Sequence, residues 1–590
     1  MKNYFFLFLL LLFISCETTL EEQNASFKTV FEQSGGKETA TYSQTIEFYR
    51  NLAKEFPEVN IQTIGNTDSG YPLHIVTFNA EGNFNFEKIR KEQLLLLINN
   101  GIHPGESDGI DATMLLFRDL ANETITPPKD VVIATIPIYN IGGALNRNST
   151  SRANQNGPIS YGFRGNAQNY DLNRDFIKAD TKNAKSFAEI FHLIKPDVFI
   201  DNHVSNGADY QYTLTHLFTQ HNKLGGKLGE YLNKEFQLKL ENHLKAKDWD
   251  ITPYVNVFNR PPETGFSQFL DVPRYSTGYT TLWNTLGLMV ETHMLKPYNQ
   301  RVKGTYELMV SAIAIANDEK QNIKNLRIEQ FEHFAKTKTY HLNWQIDTIQ
   351  NSSLDFKGYQ ADTLISPVTG LPRLKYNRDK PFTKKVIYQN YFIAQDTVEI
   401  PAAYIFKKGW KKVIDRLSDN NIRFFELEKD TSLSVESYKI ESYDTRKNPY
   451  EGHYLHYNTK VNSTKKTAAF TKGDFVVPTN QEGVRYLLET LEPNGPDSFF
   501  NWNFFDTVLQ QKEGFSPYVF EDEALKLLEQ DSILRADFHA KKEEDETFSK
   551  NWYAQLDWIF KQSKYYEEAH MQYPIYRIRK NSESEKILLH

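Results

Sequence analysis

Four short segments carry residue types that could hydrolyse an amide bond together. The first, Gly101-Ile102-His103-Pro104-Gly105-Glu106, follows the apolar run Leu94–Ile98 and sets an imidazole and a carboxylate three residues apart on a Pro-Gly turn. A neutral His nitrogen and a hard carboxylate oxygen are donors that suit zinc at a site with an open position. Such a pair arises by chance in many chains, so the other segments carry the decision. The second, Pro196-Asp197-Val198-Phe199-Ile200-Asp201-Asn202-His203, delivers another His at the end of an apolar run. As a third ligand it would leave one coordination position for water. The third, Tyr170-Asp171-Leu172-Asn173-Arg174-Asp175-Phe176, is preceded by Ser151-Arg152-Ala153-Asn154. Two guanidiniums and an amide form a fork suited to clamp a carboxylate, although Arg174 paired with Asp171 or Asp175 would have a purely structural use. The fourth is Leu288-Met289-Val290-Glu291-Thr292-His293. A glutamate closing an apolar strand is poorly explained by packing, because an unpaired buried carboxylate is costly. Facing a water at the metal, Glu291 would be a general base.

Each segment sits at the carboxyl end of a predicted strand, which is where open α/β sheets place ligands. Leu94–Ile98, Val131–Ile136, Val198–Ile200 and Leu286–Val290 are apolar without alternation, as in strands buried on both faces. Helix-like stretches such as Ile110–Leu120 and Lys182–Ile194 separate them. Strands alternating with helices predict a mixed, mostly parallel sheet with helices on both faces. This α/β domain is expected over residues 40–320. A charged helical stretch then leads out of it, with a linker at 321–347. Residues 348–590 are expected to form an accessory region, β-rich and then helical.

In order and spacing the four segments resemble the carboxypeptidase A-like zinc peptidases, or funnelins, over about half the chain. The resemblance implies that His103, Glu106 and His203 bind one zinc ion. It implies that Asn173 and Arg174 hold the terminal carboxylate of a peptide, that Arg152 polarises the scissile carbonyl and that Glu291 is the catalytic glutamate. The two-His, one-Glu zinc set with an open position is the pattern known for carboxypeptidase A itself. The family's mobile tyrosine has two candidates, Tyr275 and Tyr279. Departures are present: Tyr139-Asn140-Ile141-Gly142-Gly143 stands where the family commonly has Asn-Pro-Asp-Gly, and Arg147 competes with Arg152. His293 is read as a residue supporting the site from behind its ligands or as structural, since three ligands are already found.

Composition narrows the remaining classes. At 590 residues the chain exceeds one ordinary core. A profile of 40% hydrophobic and 24% charged residues marks a folded protein, and a net charge of −7 gives no basic surplus for nucleic acid. Tyr4 to Ile14 is apolar, too short to span a bilayer, and ends at Cys16, the only cysteine. Residues 1–15 therefore resemble a bacterial lipoprotein signal peptide, with Cys16 the lipidated residue and 16–39 a flexible tether. The expectation is an exported zinc metallocarboxypeptidase anchored by lipid in the cell envelope, with a peptide bearing a free carboxyl end as substrate. Two rivals keep parts of the pattern: a zinc amidase acting on peptidoglycan stem peptides, and a surface lipoprotein that binds glycan or peptide without chemistry.

Overall fold

A computed structural model describes residues 27–589. The signal segment and Cys16 lie outside the described residues. The chain divides into two compact units, one comprising residues up to Glu332 together with Gln345–Ile393, the other His333–Trp344 together with Ala394–His590. Among the described residues no helix is long and apolar enough to cross a membrane.

The first unit is built on an eight-stranded sheet. Its strands are β1 (Val59–Asn66), β2 (Pro72–Phe78), β3 (Leu94–Asn99), β4 (Val131–Ile136), β5 (Val198–Ser205), β6 (Leu214–Phe218), β7 (Ile251–Pro253) and, after a short β8 (Phe266–Ser267) in another sheet, β9 (Leu286–His293), arranged in the order β1-β2-β4-β3-β5-β9-β6-β7. The central strands β4, β3, β5 and β9 run parallel, and antiparallel pairings attach β2 at one side and β6 at the other. Every residue of β3 and β4 is buried, which accounts for the absence of polar alternation in Leu94–Ile98 and Val131–Ile136: both faces are covered. The crossovers run through helices, among them α1 (Asp108–Ala121) and α2 (Lys182–Ile194). Adjacent parallel strands need connections of this length. The mixed α/β architecture with a mostly parallel centre is thus the one the patterning predicts.

Register fixes the functional layout. Ile98 pairs with Ile200, Asp201 with Met289, and His203 with Glu291. The carboxyl ends of three adjacent strands therefore carry His103 and Glu106 (just past β3), His203 (in β5) and Glu291 (in β9).

Part of the expected tether is packed. Thr29 caps the helix Val30–Gln33 in a reciprocal capping box, Phe31 is buried, and Glu32 is ion-paired to Arg118 at 2.7 Å. The charge pattern over residues 16–39 hid one aromatic anchor and one pairing carboxylate, which hold this segment to the helix Asp108–Ala121.

The first unit also includes a long hairpin, β10 (Ser352–Ile365) and β11 (Pro372–Gln389), beside the edge strand β8. The second unit contains a six-stranded sheet of β12 (Ala403–Phe406), β13 (Phe425–Glu426), β14 (Thr431–Thr445), β15 (His456–Phe470), β16 (Phe475–Pro478) and β17 (Ile575–Ile578), and most of its remaining length after residue 480 is helical. The aromatic run at 499–505 belongs to its core: Phe499, Phe500, Trp502 and Phe505 are fully buried.

Candidate active site

His103, Glu106 and His203 converge. One ligand atom from each lies within 4.8 Å of the others, and all three residues are buried. The geometry at each imidazole is the same. Nδ1 faces the shared centre, 3.3 Å from Glu106 Oε1 for His103 and 3.2 Å from Glu106 Oε2 for His203. Nε2 is held from behind by a carboxylate, Asp171 for His103 and Asp201 for His203, each at 2.9 Å. A carboxylate behind an imidazole fixes its tautomer and orientation and raises its basicity toward a cation. Asp201 is itself held by the Asn99 amide at 2.9 Å.

Whether a cation fits can be judged from the protein atoms. His103 Nδ1 is buried and has no hydrogen-bond partner, although buried polar atoms are normally paired. Two imidazole nitrogens and a carboxylate aimed at one point are a borderline-hard donor set of the type zinc takes. The residues fit the ion.

Electrostatics agree. Burial would raise the Glu106 carboxyl, but His103 and Arg152 outweigh it and hold it well below the usual carboxylate range. Burial would likewise lower His203, yet Asp201 carries it well above the ordinary imidazole value. A metal ion held by His103, Glu106 and His203 would take the place of that proton, since ligating imidazoles are neutral. Burial pushes the Glu291 carboxyl up to about 8, against the pull of His203 and with the push of Glu106. Its Oε2 has no hydrogen-bond partner.

The group opens into a cleft of about 490 Å³ whose lining includes Arg152, Asn173, Arg174, Tyr275 and Glu291. Arg152 Nη1 lies 3.0 Å from Glu106 Oε1. It reaches this position beneath the His103–Glu106 turn because Gly105 has no side chain: a Cβ there would stand 2.6 Å from Arg152 Cδ. The Asn173 amide oxygen accepts from the Ser276 backbone N–H at 3.2 Å, and the Arg174 guanidinium lies 4.5 Å from the centroid of the Tyr275 ring. These contacts fix the amide and guanidinium pair at one wall.

Residues 45–196 match the family model described as zinc carboxypeptidase (Peptidase_M14). The match takes in His103, Glu106, Arg152, Asn173 and Arg174 and ends before His203 and Glu291. Residues 45–196 therefore carry a zinc carboxypeptidase domain match. Two relatives named Carboxypeptidase 2, from Trichophyton rubrum and Trichophyton equinum, are 21% and 22% identical, each over 79% of this chain and 84% of the relative. A metallo-carboxypeptidase structure from Burkholderia cenocepacia aligns with a TM-score of 0.36 at 16% identity, over 48% of this chain and 70% of that one.

Within the first unit the candidate tyrosines separate. Tyr275 lines the cleft. Tyr279 does not: it is fully buried, packed edge-on to Phe187 and Phe191, with its hydroxyl 3.3 Å from His192 Nε2. Tyr275 precedes the short helix Ser276–Thr281 and Tyr279 sits inside it, so their four-residue spacing could not reveal which one the helix turns into the core. Arg147 is also removed from the cleft, donating to the backbone carbonyls of Ala40 and Ser160. His293 Nε2 donates to the loop carbonyl Ala208 O, 2.8 Å away, and burial lowers the imidazole to about 4.

Sequence reasoning missed four residues. Asp171 and Asp201 stand behind the imidazoles; each lies two residues from a chosen residue, the only signal available. Arg164 reaches both Asp171 Oδ2 (2.8 Å) and Glu106 Oε1 (3.6 Å). Tyr254 lines the cleft beside Glu291. Nothing in the local sequence of either marks it.

Proposed function

We propose that this protein removes the C-terminal residue of peptides, with zinc held by His103, Glu106 and His203. The observation that carries it is the conjunction, in one cleft, of a metal-ready triad, a buried Glu291 Oε2 without a hydrogen-bond partner and a guanidinium–amide pair at Arg174 and Asn173. Bound zinc supplies the Lewis acidity that makes water nucleophilic and the carbonyl electrophilic near neutral pH. Glu291 Oε takes a proton from the attacking water as the O–C bond forms, and gives it to the leaving nitrogen as the C–N bond breaks. Arg152, with its guanidinium beside Glu106, donates to the oxygen that gains charge. Arg174 and Asn173 bind the terminal carboxylate. A chain continuing past this point would leave the guanidinium without its anion, which makes the enzyme select free ends.

Metal analysis of the purified protein together with product identification from a peptide mixture tests this reading. One zinc per chain and single-residue trimming of free acids, with amidated peptides spared, is the expected result. Internal cleavage, or equal turnover of amides, would overturn it. The stem-peptide and binding-only readings gain no support from a cleft furnished in this way. Export and anchoring through Cys16 remain part of the proposal on the pattern of residues 1–16 alone. A Cys16→Ala variant should leave the membrane fraction, and retention there would sink the anchor.

A further inference from the structure

The cleft has two ends. At its inner end Arg174 stacks on Tyr275, and Tyr275 meets Phe269 edge-on at 5.0 Å. Met289 and Leu217, paired across β9 and β6, form the floor two residues behind Glu291 along β9. At its mouth, beyond the carboxyl ends of β5 and β9, the lining passes to Asn206, Asn256 and Phe258. The same cleft that holds Arg174 and the His–Glu–His centre thus extends to these three residues, which are available to the part of a peptide upstream of its last bond.

The segment forming the mouth is organised by alternation. Val255 and Val257 are buried at 1% exposure in a cluster with Phe356, Val386 and Tyr388 of the hairpin β10–β11, while Tyr254, Asn256 and Phe258 face the cleft. Phe258 is 50% exposed, a solvated aromatic ring at the rim of a site. The segment lies close against the chain that follows His203. Ala208 N–H donates to Val257 O at 3.0 Å, and Gly207, at φ +118°, leaves room for a contact in which a Cβ would stand 2.7 Å from Val257 O. The hairpin grips both strands of this rim. Arg378 Nε bonds Asp209 Oδ2 at 2.7 Å, the Gln211 amide donates to Gly358 O and Phe382 O at 2.9 Å each, and Tyr376 OH donates to Arg260 O at 3.1 Å.

We propose that Asn256 and Phe258 form a subsite for the peptide upstream of the scissile bond, selecting an apolar side chain, and that the hairpin β10–β11 is its positioning element. The inference rests on the carboxypeptidase reading and deepens it. Phe258 offers an apolar face that stays half in water until substrate covers it, and Asn256 offers an amide for the adjacent peptide group. The hairpin thereby supports the rim of the peptidase cleft from behind, although it lies beyond the catalytic residues in the chain.

The test uses the full-length zinc-loaded protein and a set of N-blocked pentapeptides with constant last two residues, in which Leu or Asp is placed at each upstream position in turn. The wild type should prefer Leu at one upstream position by about tenfold or more in kcat/KM, the size expected for burying one such side chain. Phe258→Ala should reduce that ratio to about threefold or less, and Arg378→Gln should narrow it part-way, with thermal melting used to confirm that both variants are folded. A wild type indifferent to every upstream residue, or a preference that survives intact in Phe258→Ala, overturns the subsite and leaves the carboxypeptidase standing. Failure to trim any free-acid peptide, whatever its upstream residue, overturns the carboxypeptidase reading and the subsite with it.

Discussion

Both units bury ionisable side chains, and they do so to opposite ends. In the second unit Arg577, 4% exposed, is ion-paired to the fully buried Glu492 at 3.1 Å and to Glu436, and its Nη1 donates to Tyr438 OH at 2.6 Å while Tyr404 OH donates to Glu492. Burial raises the Glu492 carboxyl and Arg577 opposes it. In the first unit His103, Glu106 and His203 are about as deeply placed and Glu291 somewhat less so, yet all four line a cleft. Density of buried charge therefore does not mark chemistry. What marks it is charge whose free valences face a space that a ligand can enter, as opposed to charge enclosed with its own counter-ion.

The sharpest way to break that contrast is at Glu291. Glu291→Gln keeps shape and removes the proton acceptor, so kcat should fall by about 10⁴-fold, or roughly 5.5 kcal/mol of barrier, with zinc content by mass spectrometry unchanged. Wild-type turnover in that variant would transfer the base elsewhere. Arg577→Ala leaves Glu492 buried without its partner and should cost about 3–5 kcal/mol in chemical denaturation, with unaltered zinc stoichiometry; a silent variant would show that the second unit's pair is not structural. Arg174→Ala should raise KM for free-acid peptides about thirtyfold, consistent with roughly 2 kcal/mol for hydrogen bonds to a charged group. Matching losses on amidated peptides would deny the clamp.

The smallest effect concerns the packed N-terminal segment. Glu32 is held below its ordinary value because, against burial, Arg118 and the Thr29 N–H bind the carboxylate. A carboxyl depressed in the folded state stabilises above its unfolded value, and the contribution is lost as pH falls through the folded one. Hydrogen-exchange protection factors at residues 29–36 should therefore fall on acidification below about pH 4, by an amount worth less than about 1 kcal/mol for a pair whose carboxylate is partly in water. Exchange that is fast at neutral pH as well would return this segment to a free tether.

The sheet was legible because its central strands are buried on both faces and so carry unbroken apolar runs. Its ends were legible because polar residues such as His103 and Glu291 interrupt those runs where packing gives no reason for them. Legibility failed where a side chain's direction depends on tertiary packing. The turn of the helix Ser276–Thr281 sends Tyr279 into aromatic core, and Arg147 is absorbed by the carbonyls of Ala40 and Ser160. Tyr254 and Phe258 became visible only through the hairpin that buries Val255 and Val257 behind them. The capping at Thr29 has a sequence signature, Thr followed three residues later by Glu, which was masked by the acidic run before it.

The metal-ready groups come from the ends of β3 and β5, with Glu291 of β9 lining the same cleft, and these strands neighbour one another in the sheet but lie far apart along the chain. No fragment lacking the segment from Leu286 onward can close the sheet around that point, and none lacking Val198–Ser205 can offer both imidazoles. Zinc uptake at this site would consequently require β3 and β5 to be paired in their native register. Metal retention thus doubles as a reporter that the first unit has reached its native connectivity.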